Sequence, residues 1–180
     1  MFKFFAKLKR DENIKKSVKD FSNLWETDFD DIWNIENENN LLIALNGWLC
    51  KKSNYGDNIE KLSAAERVFY IIFQLEGEVN NGGFSQYFHN SNGNFANEVA
   101  KALREIGADE TADICDTALA ALGGEIPVEW ALRQETLESV ITDSVDKILS
   151  ECDGAFYKYP DDLEELNYQY ILNNKAQFTR

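Results

Sequence analysis

Between Ser63 and Val79 the chain repeats apolar residues at a spacing that a helix turns to one side: Val68, Ile71, Ile72, Leu75 and Val79 recur every three or four positions. The start of this helix is marked by Ser63, three residues before Glu66, in the pattern of a reciprocal capping box. Phe69, Tyr70 and Phe73 add apolar surface on other faces, so the helix is expected to be central and mostly buried, with the rest of the chain packed around it.

What surrounds it also reads as helical. Phe95, Val99, Leu103 and Ile106 predict a helix begun near Asn94 and stopped by Gly107. Asp109 is expected to cap a third, with Ile114, Ala118 and Leu122 turned inward before Gly123 and Gly124 end it. A longer helix is predicted from about Pro127 or Glu135 to Cys152, on Leu137, Val140, Ile141, Val145, Ile148 and Cys152. Asp161 with Glu164 reads as a last capping box, opening a helix with Leu163, Leu166 and Tyr170 on one face. Upstream, Leu41 to Leu49 predicts a helix, and Trp25, Phe29, Ile32 and Trp33 a shorter one before it. Pro127 and Pro160 are the only prolines, and no segment alternates as a strand would. The expected fold is therefore all-α: a single irregular or orthogonal helical bundle over residues 56–180, with residues 1–55 as an N-terminal helical extension packed on it.

The formal net charge of −14 hides an asymmetry. Residues 1–19 carry seven Lys or Arg against two acids, whereas residues 20–180 carry 11 bases against 30 acids. Two windows, 20–50 and 105–132, hold seven acids each and no base. Such a surface repels nucleic acid and acidic membranes, because it has the sign of phosphate; its natural partners are basic proteins or cations. In the second window Asp109, Asp113 and Asp116 fall on one helical face with Glu110 beside them. Carboxylates one turn apart are about 6 Å apart along the axis, near the spacing of successive phosphates on a strand. Asp28, Asp30 and Asp31 form a second acidic patch.

The basic, Phe-containing start, Met1 to Arg10, has no apolar run long enough for a signal peptide, and no transmembrane segment follows. It is expected to be a terminal helix packing its Phe face on the domain or on a partner. Cys50, Cys115 and Cys152 are odd in number and far apart, as reduced core thiols of a cytoplasmic protein would be.

Residues 78–94 pack five asparagines, three glycines and the only histidine between helical segments. The local reading is a joint. Gly82 takes the left-handed conformation that ends a helix, Gly83 lets the chain reverse, and Phe84, Tyr87 and Phe88 plug the core; Asn92-Gly93-Asn94 then repeats the stop and caps the next helix. The competing reading is a polar pocket, with Glu78, Asn80, Asn81, Gln86 and His89 around a small ligand. Catalysis finds little support. One histidine excludes a two-histidine mechanism within the chain, and Ser85 is the only nucleophile near it. Signatures of serine hydrolases, phosphate-binding loops, metalloproteases and paired-cysteine sites are absent, so no catalytic residue, metal or cofactor is expected.

Leu75 to Asn90, followed by Ala102 to Ala108 and by Tyr157 to Leu163, resembles the DNA mimic protein 19 family over roughly residues 58–175, with Asn-Asn-Gly-Gly-Phe as its most specific motif. The resemblance implies an all-α fold and, as in a characterised bacterial member, a dimer whose acidic surface imitates duplex DNA and occupies a transcription factor's DNA-binding site. The expected function is thus non-enzymatic binding of a basic, DNA-binding protein through Asp109, Glu110, Asp113 and Asp116, with Asp28, Asp30 and Asp31 as the second patch. The alternatives are a small-ligand or enzymatic domain at the Asn/Gly joint and a structural or immunity-type interaction module.

Overall fold

The computed structural model describes residues 19–180. The N-terminal expectation for Met1 to Arg10 lies outside these residues. Among the described residues every regular element is helical, so the fold is all-α. The chain forms two compact units, one reaching to Lys61 and including Arg180, the other running from Leu62 to Thr179.

In the first unit, helical residues 19–25 (α1) precede α2 (Phe29–Ile32) and α3 (Glu38–Lys52). Asn37 caps α3 by accepting the Asn40 N–H at 2.9 Å. Most apolar residues of α3 are buried, among them Leu41, Leu45 and Leu49, while Ile43 and Trp48 are half-buried.

The second unit is built around α4 (Ala64–His89). It is followed by a 3-10 turn at Ser91–Phe95, then α5 (Val99–Ile106), α6 (Asp109–Ala121), α7 (Trp130–Val140), α8 (Asp143–Phe156) and α9 (Leu163–Asn173). α4 packs against α5, α7, α8, α9 and the 3-10 turn, while α6 lies against α5 and α8. The capping box at Ser63 and Glu66 forms as its spacing predicts, and Val68, Phe69, Tyr70, Ile71, Ile72, Leu75 and Val79 are all buried. Glu66 is itself wholly buried, and its second oxygen accepts the Thr179 N–H at 2.9 Å. One carboxylate thus serves a helix start and the C-terminal strand of coil together. Cys50, Cys115 and Cys152 are free and buried.

Several boundaries differ from expectation for identifiable reasons. The helix expected to run unbroken to Cys152 is two helices, because the chain is extended at Ile141 and Thr142, and the Thr142 hydroxyl caps Val145. Asp109 does not cap α6. The cap residue is Ala108, and the Thr111 N–H and hydroxyl are instead taken by Asp161, fifty positions away, at 2.7 and 2.8 Å. With Asp161 so employed, Asp162 caps α9 through the Glu165 N–H. Asn94 does not start α5, which opens at Val99 after Glu98. On α9 the buried residues are Leu163, Asn167 and Ile171 rather than Leu166 and Tyr170. Gly107, Gly123 and Gly124 end their helices at positive φ, as expected.

Candidate functional site: the polar joint and the acidic helix faces

The joint is a break within α4. Its backbone leaves helical geometry at Gly82 and Gly83, and the assignment of roles differs from the sequence reading. Gly82 has an extended φ of −160°, whereas Gly83 has φ 74° and ψ −177°, a combination essentially confined to glycine. A Cβ on Gly83 would also collide with the Asp153 carboxylate. That carboxylate accepts the Phe84 N–H at 2.7 Å, and Tyr157 donates its hydroxyl to the Val79 carbonyl at 2.9 Å. Residues of α8 and its end therefore satisfy backbone groups on both sides of the break, which a helix interruption would otherwise leave bare.

The turn after the break is closed from α7. Arg133 is wholly buried, and its guanidinium donates to five acceptors: Phe88 O at 2.9 Å, Asn90 O at 3.0 Å, Asn94 Oδ1 at 2.7 Å, Val128 O at 2.7 Å and Pro127 O at 3.2 Å. Gln134 adds a bond to the His89 carbonyl at 3.0 Å. The Phe88, His89 and Asn90 carbonyls lie at the end of the segment Phe84–His89, where the helix dipole favours a cation. Burial lowers the Arg133 pKa, yet a guanidinium so strongly basic stays charged at neutral pH. Gly93 makes the approach of the 3-10 turn possible, because a Cβ there would sit 2.6 Å from the Phe88 carbonyl.

The residues expected around a ligand divide. Glu78 and Gln86 come together with Asn90 and Asn92: the Glu78 carboxylate accepts Gln86 Nε2 at 2.7 Å, Asn90 Nδ2 at 2.8 Å and Asn92 Nδ2 at 2.9 Å. Asn81 joins by donating to Gln86 Oε1 at 3.1 Å. These side chains line an open basin of about 340 Å³. Asn80 and His89 do not line it. Asn80 donates to the Tyr159 hydroxyl at 2.6 Å, which in turn donates to Glu76 at 3.0 Å. His89 Nδ1 bonds the Ser85 carbonyl at 2.8 Å. Phe84 and Tyr87 are buried in the core, and burial, first among several causes, raises the Tyr87 phenol well above its ordinary pKa.

Asp109, Glu110, Asp113 and Asp116 are all exposed on α6. The reading of this face as lacking a base is amended by Arg104, one residue before the window: its Nη2 bonds Asp113 Oδ1 and Asp116 Oδ2, each at 2.7 Å. Those carboxylates raise the Arg104 pKa. The single cation leaves this group of four acids with a net charge of −3. In the first unit Asp28 and Asp31 are exposed, and Asp30 is paired with Arg180.

Sequence reasoning missed Arg133, and the missing fact alters the electrostatics. From residue 105 to 146 the chain holds eleven acids and one base, which is Arg133. Its burial removes the only positive side chain of that stretch from the surface. Among the described residues no group of three or more His, Cys, Asp or Glu is placed to hold a metal, and no helix is long and apolar enough to cross a membrane.

Comparison with curated proteins and with solved structures returned no match to this chain. A family model described as DMP19-like protein matches residues 60–174, the span that holds the broken helix, the Arg133 cradle and the α6 acids, and the chain belongs to that family.

Proposed function

We propose that this protein is a non-enzymatic, cytoplasmic binding protein whose acidic helix faces engage a basic, DNA-binding protein in the manner of duplex DNA. The observation that carries the reading is the charge segregation over residues 105–146: eleven acids, with the sole base buried beneath the surface. Membership in a family of DNA-mimic type agrees with it. Asp109, Glu110, Asp113 and Asp116 form the primary face, and Asp28, Asp30 and Asp31 the second patch. The joint is read as structure, since Glu78 spends its carboxylate on three amides of its own chain and His89 on a backbone carbonyl.

The test is capture from the source cell at about 0.05 M and about 0.5 M salt, identification of the partner, and titration of the purified pair. Association should weaken steeply with salt, and Asn or Gln at the four α6 positions should abolish it while far-UV circular dichroism is unchanged. Affinity indifferent to both salt and substitution would refute the reading.

A further inference from the structure

Between α6 and α8 lies a cleft of about 300 Å³ whose walls are Ile114, Thr117, Ile148, Cys152 and Ala155. Asp113 stands on its α6 lip and Glu151 on its α8 lip. Asp113 also belongs to the acidic row, so cleft and row form one continuous surface. Ile148 is left 37% exposed, although Leu149, Cys152 and Phe156 of the same helix are buried. Lys147 reaches Glu151 at only 3.9 Å, an exposed pair that a partner's cation can displace.

Imitating phosphates requires only a spaced row of negative charge; an apolar slot beside the row adds something that phosphates do not offer. We propose that the α6/α8 cleft receives an apolar side chain of the basic partner, presented by an amphipathic helix that carries Lys or Arg on either side of it, with Asp113 and Glu151 meeting those flanking cations. The proposal rests on the reading above and gives the contact a component that salt does not screen. Charge complementarity selects a cationic occupant over the same face of a second copy, which would bring acidic lips against acidic lips.

The test uses two labelled helical peptides of about 18 residues, roughly five turns, with equal numbers of lysines. One carries leucines along the opposite face and the other carries only serine and alanine there. Binding to the full chain is followed by fluorescence anisotropy at low and high salt. The leucine peptide should bind about tenfold more tightly and keep that margin when salt has weakened both. Ala155→Phe, which fills the cleft, and Ile148→Ser should each erase the margin and leave the leucine-free peptide's affinity unchanged; Asp113→Asn with Asp116→Asn should weaken both peptides.

Equal binding of the two peptides, or a margin that survives both cleft variants, overturns the cleft and leaves the acidic reading standing. Failure of both peptides to bind at low salt overturns the acidic reading and the cleft with it. Conversion of a dimer to a monomer by Ala155→Phe in sedimentation assigns the cleft to self-association and overturns the proposal.

Discussion

Replacing Arg133 by methionine keeps most of the side-chain volume and removes every donor of the guanidinium. Five acceptors then lose their partner: three carbonyls or amide oxygens at the end of the Phe84–His89 segment and its following turn, and the Pro127 and Val128 carbonyls. A hydrogen bond from a charged donor is worth about 1.5–3 kcal/mol net, and an orphaned buried acceptor costs about 1–3 kcal/mol. Counting all five in full would equal the whole stability of an ordinary domain, about 5–15 kcal/mol. Waters entering beside the shorter polar-free side chain will satisfy some of the carbonyls, and release of a buried charge offsets part of the loss. The expected net cost is about 3–5 kcal/mol. With a urea slope of about 2–3 kcal/mol/M, that is a fall of roughly 1–2.5 M in the midpoint followed by circular dichroism at 222 nm. Arg133→Lys should fall between, because one ammonium keeps the charge but has three donors for five acceptors that the guanidinium reaches from three separate nitrogens. A loss below about 1 kcal/mol for the methionine variant would show that the cradle is not what holds the joint.

Other substitutions separate effects that the structure assigns to different atoms. Gly83→Ala should cost about 2–4 kcal/mol, since it combines a glycine-only backbone conformation with a collision against Asp153, whereas Gly82→Ala should cost clearly less because its extended φ is open to any residue and only the Gln86 side chain must shift; equal losses in urea unfolding would contradict this. Burial is the main cause that raises the Glu76 pKa, so its ionisation opposes folding, and stability is lost as pH rises from the unfolded value near about 4.3 through the raised folded value. Glu76→Gln should therefore match the wild type at about pH 3 and be the more stable at about pH 7, and a difference independent of pH would refute the assignment. Arg104→Gln frees Asp113 and Asp116 from their shared cation, so it should tighten binding to the lysine peptides at low salt with little change in unfolding; weaker binding would mean that Arg104 organises the face rather than masking it.

Much of the fold was legible because it is written in local spacing. The central helix, its capping box and the glycine stops after α5 and α6 depend on residues within a few positions of one another, and each forms as the spacing predicts. The misplaced features depend on partners that are distant in sequence. Thr111 is bonded by Asp161, fifty positions away, so Asp162 takes the α9 cap that a local reading gives to Asp161. The break at Ile141 is hidden by an apolar pair, Val140-Ile141, that continues a helical pattern, and Thr142 was the one local signal of a new start. Gly82 and Gly83 could not be distinguished locally, because the choice between them is made by where the Asp153 carboxylate lies.

The acidic candidates show the same division. Three carboxylates on one face of α6, with Glu110 beside them, could be read from their positions alone, but whether a cation neutralises them could not. Arg104 was discounted by lying one residue outside the window, and it comes to the row because Gly107 turns α6 back against α5. Arg133 is followed by three polar residues, Gln134, Glu135 and Thr136, and reads as an ordinary surface base, yet it is drawn inward because the broken α4 leaves carbonyls that need a cation. The joint and the acidic surface are therefore linked by one residue. A break in the central helix consumes the only positive charge between residues 105 and 146, and the surface built from that stretch is more acidic than its composition states. If that link holds, swapping charge at the joint and charge at the surface are not equivalent: Arg133→Met should weaken the domain, whereas Arg104→Gln should alter recognition alone.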